Sequence, residues 1–459
     1  MKTKRMSDTE YDLLADAYEG SGGFLDGMFL KRHKRETDDN YTVRRQLSFY
    51  LNYTKVVVNS HVNAVFQNEP ERNYKTDPLF ITFINDADGQ GTSFNRWMKR
   101  TALQAKLNGC MLIVVDNFID QPATLQGAIE NRILPYVYAI SPKRIVDWEQ
   151  DNVGRLISIS YTETRKDDKG KDETVKRKWT ATNCQLLSLK DVVISSVGHT
   201  LGVLPCFLLY GSDVDPAQVI PISEFLQVAR ANQAIFNLCS EIRELQRHQG
   251  FNVLTIQGNE PTNKKKTLGS DNALYYDANV SNAPNFIAPN PSPLERLEMF
   301  MDRLIGEIYR MSCITHTQQY AAANQSGESK KWTFQITRQV LNDFAANCEY
   351  AEMRIALLFG KYITTDLQMV VNYSRKYGVE NIDDDLIQAQ AALDLDLGAE
   401  GNAEVRKRAA RQYFAEYEDD DIERIVESIE LDKKEKESNN NADKKINDLI
   451  TTLPNGGDE

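Results

Sequence analysis

The run PISEFLQVARANQAIFNLCSEIRELQRHQG, residues 221–250, decides how the rest of the chain is read. Phe225, Val228, Ile235, Leu238, Ile242 and Leu245 recur at steps of three, four and seven, which places them on one helical face. Pro221 is tolerated at a helix start and Gly250 is suited to end one, so the spacing predicts a helix over 221–249. At 1.5 Å per residue, roughly 29 residues reach about 43 Å. An apolar stripe of that length needs a partner along most of it.

The following residues supply one. Residues 250–292 read as a small β-containing insert, with FNVLTI, ALYYD and NFIAP as strand candidates and Lys264, Lys265 and Lys266 at a loop. Pro291 and Pro293 then open a second helix over 293–315, with Leu297, Met301, Leu304, Ile308 and Met311 at steps of four, three, four and three. The small polar run THTQQYAAANQSGESKK, residues 315–331, reads as a loop. A long helical stretch follows to residue 362, carrying Ile336, Val340, Phe344, Cys348, Ala351, Ile355 and Leu358 on one face. Residues 383–398 and 403–429 read as acidic helical segments. The asparagine-rich, charged tail from 431 has the composition of a disordered segment.

Upstream, the pattern is α+β. Residues 1–40 are polar, with glycines at 22 and 23 and the basic cluster Lys31, Arg32, His33, Lys34 and Arg35. Leu47, Leu51, Val58, Val62 and Val65 predict one helix over 41–66, and Phe94, Trp97, Ala102, Leu103 and Leu107 another over 93–108, ended by Gly109. CMLIVVD at 110–116 reads as a buried strand, and PYVYAISPKRIVDWE at 135–149 as two strands broken at Ser141 and Pro142. LISISYTETR and VKRKWTAT, residues 156–165 and 175–182, form a hairpin with a charged tip, and VLPCFLLY at 203–210 closes the region as a strand.

Composition agrees with a helix-rich α+β protein. Glycine (24) and proline (14) make about 8% of 459 residues, below the roughly 12% of average usage. The formal charge of −12 excludes a protein that coats duplex DNA by neutralising phosphates. Residues 380–432 hold seventeen acids and five bases, so this one segment accounts for the whole −12. Mean hydropathy is −0.49, and no apolar run approaches the length of a membrane-spanning helix. The N-terminus has basic residues without an apolar core after them, unlike a secretory signal. Six cysteines lie far apart with no CxxC, which predicts reduced, structural thiols in a cytosolic setting.

Catalytic chemistry finds little support. GNEPTNKKKT at 258–267 has Asn263 where a phosphate loop requires glycine beside the lysine. Adjacent acids such as Asp383, Asp384 and Asp385, or Glu418, Asp419, Asp420 and Asp421, point around a helix and do not converge on a metal. The five histidines are isolated in sequence. The expectation is a non-enzyme without metal or cofactor.

In the order of its parts the chain resembles the portal proteins, or head–tail connectors, of tailed bacteriophages. RRQLSFYLNYTKVVVNSHVNAVFQNEPE (44–71) is similar to that family's early helix, LNGCMLIVVD with PYVYAISPKRIVDWE to its wing strands, and GHTLGVLPCFLLY (198–210) to the strand entering its stem. The likeness spans roughly 41–430, and no portal element corresponds to 1–40 or to the tail from 431.

After an N-terminal arm (1–40) that lies outside the likeness, the resemblance implies a wing (41–220), stem helices (221–249 and 293–315), a clip (250–292) and a tunnel loop (316–331). A long kinked helix with the second part of the wing (332–379) and an acidic helical crown (380–430) complete it, and a disordered tail (431–459) follows outside the likeness. It implies a homo-oligomeric ring, a dodecamer in that family, at one vertex of a virion capsid assembled in host cytoplasm. Double-stranded DNA would pass non-specifically through the ring during packaging and ejection. The terminase large subunit, major capsid and scaffold proteins and a head-completion or tail adaptor would be its partners, with no membrane. In that picture Gln318, Gln319, Asn324, Gln325, Ser326, Lys330 and Lys331 line the tunnel, and Lys264, Lys265 and Lys266 sit at the clip, for terminase docking or for DNA contact at the exit. The two apolar stripes pack the stem within and between subunits. The rival readings are another ring-forming head–tail structural protein, a metal-dependent nuclease, and a coiled-coil adaptor, the last lacking sustained heptads.

Overall fold

The protein is described from a computed structural model. Described residues are 5–74, 77–118, 127, 131–166, 170–215, 218–249, 253–257, 273–276, 285–287, 292–314, 327–375, 377, 389–395, 398–413, 423–431 and 434. The chain divides into two units, Met1–Arg375 and Lys376–Glu459.

In the first unit the strand Cys110–Asp116 lies at the centre of a three-stranded antiparallel sheet, between Tyr136–Ile140 and Cys206–Tyr210. Its first six residues are buried, as its unbroken apolar run predicts. The helix Phe94–Asn108 leads into it through Gly109 at φ 90°, where an added Cβ would press within 3.3 Å of the Ser223 backbone. A five-stranded antiparallel meander follows in chain order: Ile145–Gln150, Leu156–Lys166, Asp172–Trp179, Asn183–Leu187 and Val193–Gly198. Cys110, Leu112 and Val114 share a core with Ile159, Tyr161 and Trp179 of the meander.

The break at Ser141 and Pro142 is a short 3-10 turn, Pro142–Arg144. The hairpin pairs Leu156–Lys166 with Asp172–Trp179, and its tip at 167–169 lies outside the described residues. The last two meander strands went unread, their alternation being weak. Also unread was Glu71–Tyr74, which pairs antiparallel with Met369–Asn372 nearly three hundred residues on. The insert strands fall where expected: Val253–Gln257 pairs parallel with Ala273–Tyr276 and antiparallel with Asn285–Ile287.

Four expectations are corrected. The single helix over 41–66 is two helices, Asp38–Leu47 and Tyr53–Val65. The Ser48 backbone is extended and the Asn52 side chain caps the second helix by accepting from Lys55 N at 2.8 Å. The polar reading of residues 1–40 misses a helix, Asp8–Glu19, opened by a capping box between Ser7 and Glu10. That helix buries Tyr11, Leu14, Ala17 and Tyr18 in the core around Phe225 and Phe236.

The long helix begins at Phe225, not Pro221, because Ser223 Oγ accepts from Phe225 N at 3.1 Å and the preceding residues are needed for the turn out of the sheet. The third long helix spans Gly327–Tyr362, so Lys330 and Lys331 lie in a helix and not in a loop.

The second unit has helical residues at 389–394, Gly398–Tyr413 and 423–431. Lys407 donates to Glu430 Oε1 at 2.6 Å. This unit carries 23 acids and 11 bases, whereas Met1–Arg375 carries 43 of each. The whole formal charge therefore belongs to the second unit. The acid runs 383–385 and 418–421, and the tail except residues 431 and 434, lie outside the described residues.

Candidate functional site

The stripes singled out in the sequence bring two long helices together. Phe225–Gln249 and Ser292–Met311 pack antiparallel. At one end His61 touches both the Phe225 ring (5.8 Å) and the Ser312 carbonyl, and further along Cys239 Sγ lies 3.7 Å from Met301 Sδ. Their 25 and 20 residues span about 38 and 30 Å.

Burial along the pair is graded. Phe225, Val228, Ile235 and Ile308 are fully enclosed, and Leu238 and Ile242 nearly so. Leu245, Leu297, Met301, Leu304 and Met311 are only partly buried. Nearer the insert sheet Met299 is 72% and Phe300 50% exposed, and Ile336 on the third long helix is 52% exposed. Cys239 and Ile305, outside the two predicted stripes, are also buried in the seam.

The enclosed end is fastened to the sheets by a buried polar junction that sequence reasoning missed. Lys106 has no exposed surface, donates to Gly211 O at 2.9 Å and pairs with the Glu224 carboxylate. Its ammonium lies 5.2 Å from the Phe344 ring centroid and 5.8 Å from that of Phe225, inside cation–π range. Gly211 allows this approach, since a Cβ there would meet Ala105 O at 2.5 Å. Ser223 Oγ donates to Leu107 O at 2.6 Å, so the helix start is tied to the preceding helix's end.

His61 Nε2 donates to Ser312 O at 2.8 Å. Burial, then the nearby Lys106 charge, pushes its pKa down to about 3, so the ring stays neutral. Thr337 Oγ1 donates to Cys313 O and Asn347 Nδ2 to Ser212 O at 3.0 Å, which joins the third long helix to the same end.

Asn232 occupies the apolar face between Val228 and Ile235, yet it is completely buried. Its Oδ1 accepts from Tyr53 N, Thr54 N and Thr54 Oγ1, each at 3.0 Å, and its Nδ2 donates to Leu51 O at 2.7 Å. A polar residue interrupting an otherwise apolar stripe was the available signal.

On the neighbouring turn Arg44 forks onto Glu36 with two 2.7 Å bonds, both side chains about 5% exposed or less, and reaches Ser240 Oγ at 3.2 Å. The Arg44 hydrogen bonds hold the Glu36 pKa at about 2. Of the basic cluster, the Lys31 backbone is fixed by Asn237 Oδ1 at 2.7 Å, while Lys34 and Arg35 are exposed.

Gln318, Gln319, Asn324, Gln325, Ser326, Lys264, Lys265 and Lys266 lie outside the described residues. The six cysteines are free. Among the described residues no cluster of metal-ligand type occurs, and no helix is long and apolar enough to cross a membrane.

No family model and no curated protein matches the chain. Among solved structures it is similar to a chain in the neck of an empty GTA particle computed with C6 symmetry, at TM-score 0.42 and 9% identity over 86% of this chain and 92% of that one. A chain in the neck of a native GTA particle computed with C12 symmetry gives TM-score 0.38 and 8% identity over 88% and 95%. Likeness at this level does not define a shared function.

Proposed function

We propose that the chain is one subunit of a closed homo-oligomeric ring, a portal-type head–tail connector of a virion capsid, through which genome DNA passes. The observation that carries this reading is the graded burial of the antiparallel helix pair. It is enclosed where the sheets and the helices at 8–19 and 53–65 cover it, and apolar but uncovered toward the insert. A lone pair of long helices cannot bury both faces, and side-by-side repetition around an axis is the natural remedy.

The order of parts supports the same reading. A sheet-bearing body leads to a long helix, a three-stranded sheet, a returning long helix and a third long helix, with an acidic helical unit last. Charge suits a conduit: Met1–Arg375 is balanced and the excess acid is confined to the second unit, so DNA is not gripped by a dominant basic surface. In this picture Lys264, Lys265 and Lys266 at the insert meet the packaging motor, and the polar run ending at Lys330 and Lys331 faces DNA. The ring hydrolyses nothing itself.

Negative-stain imaging of the purified protein tests the proposal. Annular particles with a central hole are the expected result. A population of single 52.3 kDa chains with no tendency to associate would overturn it.

A further inference from the structure

A cleft of about 1480 Å³ opens between the central sheet, the meander and the helix Phe94–Asn108, remote from the helix pair in its residues and its chemistry. Asp116, the last residue of the buried central strand, lies in its wall. Its carboxylate accepts from Asn117 N at 2.8 Å and from Tyr136 OH at 3.4 Å, and among the described residues no basic group lies within ion-pair distance. Burial raises its pKa from the ordinary carboxylate value, with the Asn117 N–H bond and then Arg177 opposing more weakly.

Arg177 is already committed, with 2.9 and 2.7 Å bonds to Glu163. The remaining cations of the lining, Arg100 and Lys361, sit exposed at the rim, where water solvates them. The uncompensated charge in the wall is therefore negative.

Aromatic rings surround it. Phe118 and Tyr136 have centroids 5.1 Å apart at 45°, Tyr136 and Tyr138 lie 6.0 Å apart, and Trp97, Trp179 and Tyr362 also line the cleft. Aromatic faces beside a partly desolvated carboxylate suit a planar cation that can stack and donate two parallel hydrogen bonds. A guanidinium meets both requirements, whereas an ammonium is a point charge that hydrates strongly.

The cleft also adjoins an open strand. Val193–Gly198 is the last strand of the meander, exposed along its whole length, and its Val197 and Gly198 form part of the cleft wall. Val193, Ile194 and Val197 present apolar surface there, and an uncovered apolar edge is a template for an added strand.

We infer that this cleft receives an arginine side chain presented by an extended segment of a partner polypeptide, which pairs with the Val193–Gly198 edge while its guanidinium meets Asp116. The inference does not depend on the ring reading.

The probe is N-acetylarginine amide, with N-acetylcitrulline amide as its neutral isostere and inorganic phosphate as the anionic alternative. Trp97 and Trp179 report binding by fluorescence on the full chain. Saturable binding of the arginine compound is expected, at least about tenfold tighter than that of the citrulline compound. Asp116→Asn should remove that preference while leaving the weak citrulline response unchanged. Equal responses to the two amides, no response to either, or saturation by phosphate alone would each overturn the inference. If Asp116→Asn does not fold, the wild-type comparison of the three probes still decides.

Discussion

Asn232 and Thr54, separated by 178 positions in the chain, are joined by two hydrogen bonds of 3.0 Å, from the Thr54 backbone N–H and hydroxyl to Asn232 Oδ1. A side chain in the middle of one helix thus satisfies open N–H groups in the first turn of another. Those donors have no partner within their own helix, and burial denies them water.

Replacing Asn232 with alanine leaves the Thr54 N–H and hydroxyl buried without their acceptor, while the Tyr53 N–H keeps Leu51 O at 3.1 Å. The expected loss is about 2–4 kcal/mol, against about 1 kcal/mol for Thr54→Val, which removes one hydroxyl donor and keeps the volume. Thermal unfolding of the two variants compares them directly, and Asn232→Ala should show the larger drop in midpoint.

Lys106 and Glu224 are unequally placed, the first with no exposure and the second 40% exposed. Glu224→Gln strands a buried ammonium, a loss of about 3 kcal/mol or more. Lys106→Met keeps the bulk and leaves a carboxylate that water reaches, so its loss is smaller. The double variant should resemble Lys106→Met in denaturant unfolding, because the stranded charge is then gone.

His61 gives stability a pH dependence. The folded ring takes up a proton only near pH 3, whereas an unfolded histidine does so near 6.5. Its contribution is therefore complete above about pH 6.5 and is lost as pH falls toward 3, by up to about 1.4 kcal/mol per pH unit. His199, also lowered by burial, adds to the same trend. His61→Gln retains a donor for Ser312 O and should flatten, without abolishing, the decline in urea midpoint between pH 6.5 and 4.8.

Glu36 acts lower on the scale. With its folded pKa at about 2, its contribution is full above about 4.5 and disappears as pH drops from there. Glu36→Gln should lose stability at pH 7 but show a shallower decline below pH 4.5 than wild type, measured by the same unfolding series.

The parts of the fold legible in the sequence were those with a strong local pattern. Cys110–Asp116, the hairpin, the three insert strands and the long helices announce themselves through apolar periodicity and turn residues. What stayed hidden depends on distant partners. The break at 48–52 reads as continuous helix because, beside the local Asn52 cap, the acceptor that holds the Thr54 N–H is Asn232, far along the chain. Glu71–Tyr74 is too short and polar to read as a strand without Met369–Asn372 beside it. Arg44, Lys106 and Glu352 look like solvated charges in sequence but are buried. Glu352 has no exposed surface, and takes two bonds from Arg72 and one of 2.6 Å from Tyr373 OH.

Native mass spectrometry of the wild-type chain beside a Met299→Asp, Phe300→Asp variant tests the central claim most directly. Ring assembly predicts that the wild type appears at one defined high multiple of 52.3 kDa. Charges on the two most exposed apolar positions of the second helix should shift it to single chains with an unchanged far-ultraviolet spectrum. A wild-type protein that remains a single chain, or a variant that assembles as well as wild type, would contradict the account.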